Sequence, residues 1–246
     1  MQDYILEMKD ISKIYGNGIA ANKDVDFNLK KGEIHALVGE NGAGKSTLMK
    51  VLFGMEPPSS GEIILRGENV KFSSSKDAIA HGIGMVHQHF MLVESFTAAQ
   101  NIILGMEPKK GLFVSEEEAV RFTKELSSKY NLEVEAKAVT RTLPVGVKQK
   151  IEILKALARG AEILILDEPT AVLAPQETDQ LFEELIHLKE QGHTIVFISH
   201  KIPEIKRISD RITVMRAGCF VGCCETKDVT EKEISSMIMG CEMDTS

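Results

Sequence analysis

The residues with the most specific chemistry lie in one short glycine-rich stretch that ends in a lysine and two hydroxyl side chains. The stretch matches the pattern G-x-x-x-x-G-K-[ST], which is typical of phosphate binding. Its glycines let the backbone curl so that successive N–H groups point toward an anion. We expect the lysine to reach the β- and γ-phosphates of a nucleotide and the first hydroxyl to ligate Mg²⁺. The residues predicted to bind nucleotide here are Gly39, Glu40, Asn41, Gly42, Ala43, Gly44, Lys45, Ser46 and Thr47.

Four polar residues elsewhere in the chain could complete such a site. Asp167 and Glu168 follow an aliphatic run, and we expect the aspartate to hold Mg²⁺ and the glutamate to orient and deprotonate a water molecule. Gln88 ends another apolar run, where its amide could reach Mg²⁺ or the attacking water. His200 also follows a strand-like run and could contact a γ-phosphate, although a lone histidine is usually structural. The predicted catalytic residues are Lys45, Glu168 and His200, and the predicted metal ligands are Ser46, Gln88 and Asp167.

The sequence around these residues is typical of a parallel β-sheet. Residues 33–38 predict a strand and residues 46–52 a helix, which is the setting that the phosphate-binding pattern requires. Outside that setting, the stretch would be a glycine-rich turn that binds nothing. The aliphatic run at 163–166 predicts a strand buried on both faces, and residues 194–198 predict another strand. Because ligands bind at the carboxyl ends of such strands, we expect the polar residues to converge there.

The N-terminal part of the chain predicts exposed strands and one aromatic loop residue. Residues 4–8 and 25–29 alternate between apolar and polar side chains, and a further hairpin is predicted around Gly67. Tyr15 lies in the loop between the first two strands, where its ring could stack on a nucleotide base. The alternative is that Tyr15 packs on its own domain.

Residues 90–159 predict a helical lobe inserted into the α/β core. Helical patterns cover 97–104 and 115–130, and a third helix is predicted at 151–159. The entry to the lobe, at 90–96, carries more apolar side chains than a connector needs. This surface could be a docking groove for a partner helix, or it could be buried between the lobe and the core.

The C-terminal part predicts a helix at 176–190, a hairpin that starts with the strand at 211–216, and a closing helix at 231–239. It also contains the four cysteines, whose spacing gives no paired C-x-x-C motif, so we expect free thiols.

Composition limits the classes of partner. The 246 residues carry a net charge of −7, which argues against nucleic acid as the main ligand because such binding needs a basic surface. No apolar run approaches the roughly 20 residues that span a bilayer, and the first residues lack the order of a signal peptide. We therefore expect a protein that is cytosolic or peripheral on the cytosolic face of a membrane.

The order of these motifs resembles the ATP-binding cassette of an ABC transporter over essentially the whole chain. In that family two cassettes enclose two ATP molecules, each held by the phosphate loop of one cassette and the signature loop of the other. The resemblance implies that Tyr15 stacks on the base, that Gln88 is the Q-loop glutamine and that Glu168 is the general base. It further implies that Asp167 is the magnesium-side acid and His200 the switch histidine. The signature segment is Leu143, Pro144, Val145, Gly146, Val147, Lys148 and Gln149.

Two positions depart from the family pattern. The signature usually reads L-S-G-G-Q, but Pro144 stands where the family has serine, so only the Gly146 amide and the helix start remain for a partner's phosphate. The later loop usually ends in S-A-L-D, but Ala174 stands where the family has aspartate. This asymmetry resembles the first cassette of the tandem-cassette ATPases of simple-sugar and nucleoside importers. Residues 35–54, 82–105 and 152–177 are especially similar to the nucleoside branch, whose substrate-binding component is a basic membrane lipoprotein.

The resemblance implies an α/β fold, with a P-loop NTPase core of mainly parallel sheet, an antiparallel β subdomain and an inserted helical subdomain. We expect residues 1–89 and 160–246 to form the core and 90–159 the helical lobe of a single cassette. Such a cassette would be the N-terminal half of a longer tandem protein, or a natural single-cassette subunit.

The function implied is ATP hydrolysis, with Mg²⁺, that energises import of a nucleoside or simple sugar at the cytoplasmic face of the membrane. The implied partners are membrane-spanning permease subunits, a second cassette and, indirectly, an extracytoplasmic substrate-binding protein. The alternatives are a soluble ABC-type ATPase that acts on ribosomes or DNA, and a regulatory cassette with little turnover. The soluble relatives usually carry a long charged linker or a coiled coil, which this sequence lacks.

Overall fold

In the computed structural model, residues 4–106, 109–110 and 113–240 are described. The N-terminal part forms a four-stranded antiparallel sheet with the order β2-β1-β4-β5. Its long strands are interrupted by bulges, where Asp10 and Asp24 have φ angles of 51° and 44°. The strands predicted at 4–8 and 25–29 are therefore shorter than the observed β1 and β2. A bulge breaks the alternation of apolar and polar side chains that marks a strand in the sequence. The strands are β1 (Tyr4–Ile14), β2 (Ala20–Lys30), β4 (Ser60–Leu65) and β5 (Glu68–Val70).

A six-stranded sheet forms the centre of the molecule. Its order is β12-β11-β3-β10-β9-β6, and every neighbouring pair is parallel except β11 with β12. The aliphatic run at 163–166, in β9, is fully buried, as the sequence predicts, and β3 and β10 are also buried along their whole length. The carboxyl ends of β3, β9 and β10 therefore lie side by side at one edge. The strands are β3 (Ile34–Val38), β6 (Ile83–Val86), β9 (Ile163–Asp167), β10 (Thr194–Ile198), β11 (Arg211–Arg216) and β12 (Cys219–Glu225).

Helices cover the central sheet and form a lobe between β6 and β9 in chain order. The lobe contains α3 (Ala98–Ile103), α4 (Glu116–Tyr130) and α5 (Val145–Ala158), with an apolar cluster of its own between α3 and α4. Two two-residue strands, β7 (Lys109–Lys110) and β8 (Phe113–Val114), pair before α4. The other helices are α1 (Lys45–Leu52), α2 (Ser75–Ala80), α6 (Pro175–Glu190), α7 (Ile202–Ile208) and α8 (Glu231–Met239). The predicted α/β fold, with its parallel core, antiparallel sheet and inserted helices, is confirmed.

The third lobe helix begins earlier than the sequence indicates. The structure starts α5 at Val145, six residues before the predicted start at residue 151, so the signature segment includes the first turn of the helix. Valine and glycine are weak helix formers, which hides this turn from a propensity argument. Pro144 fits immediately before it because a helix start needs no N–H from that residue. Helices α2 and α7 were not predicted, since each is too short to show a helical period.

Three of the four cysteines are free thiols in the structure, and the fourth, Cys241, lies outside the described residues.

A buried asparagine joins the lobe to the segment that follows Gln88. The Asn101 side chain accepts a hydrogen bond from the Val93 amide at 2.8 Å and donates to the Val93 carbonyl at 3.0 Å and to Thr140 Oγ1 at 2.9 Å. It is fully buried. Because its loss leaves these groups without partners, Asn101→Ala should lower the free energy of unfolding by about 2–3 kcal/mol. Urea unfolding measures this loss. The exposed Asn69→Ala should cost less than about 0.5 kcal/mol, and equal losses in the two variants would contradict this role of Asn101.

Candidate active site

The glycine-rich stretch forms a tight loop between β3 and α1. Gly42 and Gly44 have φ angles of 82° and 94°, in the left-handed region that glycine adopts without strain. A side chain at Gly44 would collide with the backbone carbonyl of Ala21, and one at Gly39 with that of Met215. The glycines are thus required by the packing of the loop as well as by its curvature. The loop leads directly into the N-terminus of α1, whose positive end favours anions.

Lys45 lies inside this loop and is only 6% exposed. Its Nζ donates hydrogen bonds to the carbonyl oxygens of Gly39, at 2.7 Å, and Glu40, at 3.0 Å. Burial lowers the pKa of Lys45, and the nearby carboxylates of Glu168 and Asp167 oppose that shift. The ammonium group is therefore fixed in the loop beside both carboxylates.

Two oxygen ligands meet next to the lysine. Ser46, in the first turn of α1, donates a hydrogen bond of 3.5 Å from Oγ to Oδ1 of Asp167, the last residue of β9. Burial raises the pKa of Asp167, while the hydrogen bond from Ser46 lowers it. Hydroxyl and carboxylate oxygens are the ligand types that Mg²⁺ prefers, so the residues present fit this ion. Gln88, two residues after β6, faces the same cleft.

Glu168 and His200 come together from neighbouring strands. His200 Nδ1 donates a hydrogen bond of 3.0 Å to Oε1 of Glu168. The other carboxylate oxygen, Oε2, is buried and has no hydrogen-bond partner among the described residues. Glu168 has a φ of 49°, in the left-handed region, which costs a residue other than glycine about 1–3 kcal/mol. One oxygen is thus held by the histidine and one is left to accept a proton.

These residues line one cleft of about 580 Å³. Gly39, Glu40 and Asp167 are not among its lining residues but are hydrogen-bonded to Lys45 or Ser46, which are. The predicted residues that the structure brings to the cleft are Asn41, Gly42, Ala43, Gly44, Lys45, Ser46, Thr47, Gln88, Glu168 and His200.

Tyr15 is not among the residues that line the cleft. Burial and the neighbouring Glu56 raise the pKa of its hydroxyl. Ile19, which is 60% exposed, lies at the cleft in its place. Base stacking by Tyr15 therefore stays a prediction.

A turn late in the chain also contributes to the cleft, and the sequence did not predict this contribution. Ala217 and Gly218, in the turn between β11 and β12, line it, and the Gly218 amide donates to the carbonyl of Ala43 at 3.1 Å. The alanine–glycine pair predicts a turn, but no local pattern indicates that this turn packs on residue 43.

The signature segment does not line this cleft. Pro144, Gly146, Val147 and Gln149 instead line a separate cavity of about 230 Å³ between α5 and α6. Lys148 lies 3.9 Å from a carboxylate oxygen of Glu94. The role of the segment toward a second cassette stays a prediction.

Comparisons with known proteins agree with this geometry. The sequence profile of the family described as ABC transporter matches residues 22–171. The nucleoside import ATP-binding protein NupA of Lactococcus lactis subsp. cremoris (strain MG1363) is 48% identical over 96% of this chain and 46% of its own length. The guanosine import ATP-binding protein NupO of Bacillus subtilis (strain 168) is 48% identical over 98% of this chain and 47% of its own length.

A solved structure shows the same fold. The dimeric structure of a bacterial ABC transporter cassette matches with a TM-score of 0.76 and 28% identity, over 90% of this chain and 98% of that one. The present chain spans about half the length of the curated relatives it matches. From its sequence, its fold and the arrangement of its phosphate loop and carboxylates, the chain belongs to the ABC transporter family, as an ATP-binding cassette.

Proposed function

We propose that the chain is the ATP-binding and ATP-hydrolysing cassette of an ABC importer and energises uptake of a nucleoside or simple sugar. The observation that carries the proposal is the position of Glu168, which lines the same cleft as the phosphate loop and has one carboxylate oxygen without a hydrogen-bond partner among the described residues. The names of the two curated relatives support the cargo class, since one is a nucleoside and the other a guanosine import protein.

The residues of the cleft have distinct roles in the proposed reaction. The loop amides and Lys45 bind the β- and γ-phosphates and stabilise the charge that develops on them. Glu168 orients the attacking water and accepts its proton at Oε2, while His200 holds the other oxygen. Ser46, Gln88 and Asp167 would hold Mg²⁺, which neutralises phosphate charge when it is bound.

A groove beside the cleft supports docking to permease subunits. A cavity of about 160 Å³ between the core and the lobe is lined by apolar side chains that include Phe53, Met85 and Met91, and Met91 is 62% exposed. The backbone of Met91 donates to Glu152 at 2.5 Å and accepts from Lys155 at 2.9 Å. A partner bound in this groove would contact both the segment that follows Gln88 and α5. The exposure of Met91 favours the docking alternative for residues 90–96.

The remaining partners and the domain division follow from the family. We assign residues 1–89 and 160–246 to the core and 90–159 to the lobe, with the chain as the first cassette of a tandem protein. A second cassette would complete the ATP sites, and a substrate-binding protein would act through the permease from outside the membrane. Among the described residues, none of the helices has the length and apolar character to span a bilayer. Because the chain is similar to import ATP-binding proteins, we propose that the cassette is a peripheral subunit at the cytoplasmic face of the membrane.

Uptake measurements test this function. In cells whose chromosomal copy carries Glu168→Gln, uptake of one labelled nucleoside or simple sugar should be lost, and the wild-type chain should co-purify with membrane proteins. Glu183→Gln, at an exposed position of α6, is the matched control and should keep uptake. Unchanged uptake of every cargo, together with co-purification of ribosomes, would favour a soluble ABC-type ATPase instead.

The perturbed groups predict how binding of a Mg²⁺–nucleotide complex depends on pH. Because the pKa of Asp167 is raised, its metal-binding form is lost at a higher pH than for an ordinary aspartate as the solution is acidified. Because the pKa of Lys45 is lowered, its charge is lost at a lower pH than for an ordinary lysine as the solution is made alkaline. The affinity for the Mg²⁺–nucleotide complex, measured with a fluorescent nucleotide, should therefore fall when the pH is lowered or raised from neutral.

The nucleotide itself titrates in acid, so Asp167→Asn is the control for the acidic side. In that variant the acidic fall should shrink to the part caused by the nucleotide. An acidic fall of the same size in both proteins would contradict the role given to Asp167.

A further inference from the structure

Helices α5 and α6 both begin without a capping side chain. Pro144 precedes α5 and Ala174 precedes α6, and neither side chain accepts a hydrogen bond from its helix. These are the two positions at which the sequence departs from the family pattern. A helix start leaves backbone N–H groups without intrahelical partners and carries a positive partial charge, so each start requires an acceptor.

A single carboxylate accepts hydrogen bonds from the backbone amides at both helix starts. Glu177, in the first turn of α6, accepts a hydrogen bond from the Gly146 amide at Oε1, at 3.1 Å, and from the Ala174 amide at Oε2, at 2.9 Å. Gly146 is required for this approach, because a Cβ there would lie 2.8 Å from Oε1 of Glu177. The negative charge of Glu177 thus lies between the positive ends of two helices.

The start of α5 is where the proposed function places the phosphate of a second cassette's nucleotide. That phosphate would need the Gly146 amide, which is already bonded to Glu177, and it would meet a like charge there. A donor for an anion remains nearby. Gln149 is 3% exposed, its Nε2 has no hydrogen-bond partner among the described residues, and it lines the same cavity as Gly146 and Glu177.

We infer that Glu177 is an internal anion that prevents the nucleotide of a second cassette from binding at the start of α5. We call this region, residues 143–149, the signature end of the cassette. The inference rests on the proposed function, because it requires nucleotide to bind between two cassettes. It explains why the cassette has a phosphate loop and a general base of its own, although its signature end contributes little to the ATP site that it would share with a second cassette. A glutamine at position 177 would remove the negative charge and keep one of the two hydrogen bonds. It should therefore allow the nucleotide of a second cassette to bind at the signature end.

Nucleotide-dependent self-association of the purified chain tests the inference. Sedimentation velocity with Mg²⁺ and the β,γ-imido analogue of ATP would compare wild type, Glu177→Gln and the control Glu183→Gln. Glu177→Gln should associate roughly tenfold more tightly, the effect of removing one unit charge a few ångströms from an anion in a hydrated interface. The control should match wild type. The gain in the affinity of self-association should shrink as salt is added, because salt screens the repulsion between charges. A structural change alone would give a gain that does not depend on salt.

Each result decides the inference. Glu177→Gln that binds the analogue but associates no more tightly than wild type would overturn it, as would a gain that salt leaves unchanged. Failure of all three proteins to bind the analogue would instead overturn the proposed function, and the inference with it. Should Glu177→Gln fold poorly, the double variant P144S/E177Q gives α5 a serine at its N-cap, and the same gain over P144S alone is expected.

Discussion

Glu168→Gln should keep nucleotide binding and lose roughly 10²–10⁴-fold in ATP turnover, the usual contribution of a general base. In the structure Oε1 of Glu168 accepts from His200 and Oε2 is the oxygen left to accept a proton. A glutamine side chain of the same shape can still accept from His200, but it cannot take a proton from water. Phosphate release by the membrane-isolated complex measures turnover, and binding of a fluorescent nucleotide measures affinity.

The variant should also keep two cassettes closed around ATP, because closure depends on binding and reopening on hydrolysis. Glu183→Gln is again the matched control and should turn over ATP as wild type does. Undiminished phosphate release by Glu168→Gln would exclude Glu168 as the base. A parallel loss of nucleotide affinity would instead make it a binding residue.

Lys45→Ala should weaken nucleotide binding by roughly a hundredfold, the effect of losing one or two charge-assisted hydrogen bonds to phosphate. The ammonium group is held in the loop by the carbonyl oxygens of Gly39 and Glu40, so it is positioned before the ligand arrives. The substitution removes that positive charge and also a contact that shapes the loop. Titration with ADP and Mg²⁺, followed by calorimetry, measures the loss.

Lys50→Ala is the control for this experiment, because Lys50 lies in the last turn of the same helix. It should bind nucleotide as wild type does. If the two variants bound nucleotide equally well, the loop around Lys45 could not be the phosphate site.

The parts of the fold that the sequence predicted are those that local patterns determine. The phosphate loop, its strand and its helix follow one another in the chain, and each has a recognisable pattern of glycines or aliphatic residues. Asp167 and His200 could be placed together because parallel strands align their carboxyl ends, and the register pairs Ile198 with Asp167.

The parts that the sequence did not predict depend on contacts between distant segments. The turn at Gly218 reaches the phosphate loop across the sheet, and nothing near residue 218 indicates that neighbour. The early start of α5 depends on packing against α6, including the buried ion pair of Lys150 with Glu184 at 2.7 Å. Glu177 was overlooked because a glutamate in the first turn of a helix is ordinary until a second helix start lies against it.

A crystal structure of the chain with Mg²⁺ and the β,γ-imido analogue of ATP would show directly whether the cleft binds the nucleotide for hydrolysis. We expect the β- and γ-phosphates to lie against the backbone amides of residues 39–47 and Lys45. We expect the metal ion between Ser46 and Asp167, and the carboxylate of Glu168 facing the γ-phosphate. Nucleotide bound elsewhere, or bound in the cleft with Glu168 turned away from the γ-phosphate, would contradict the account.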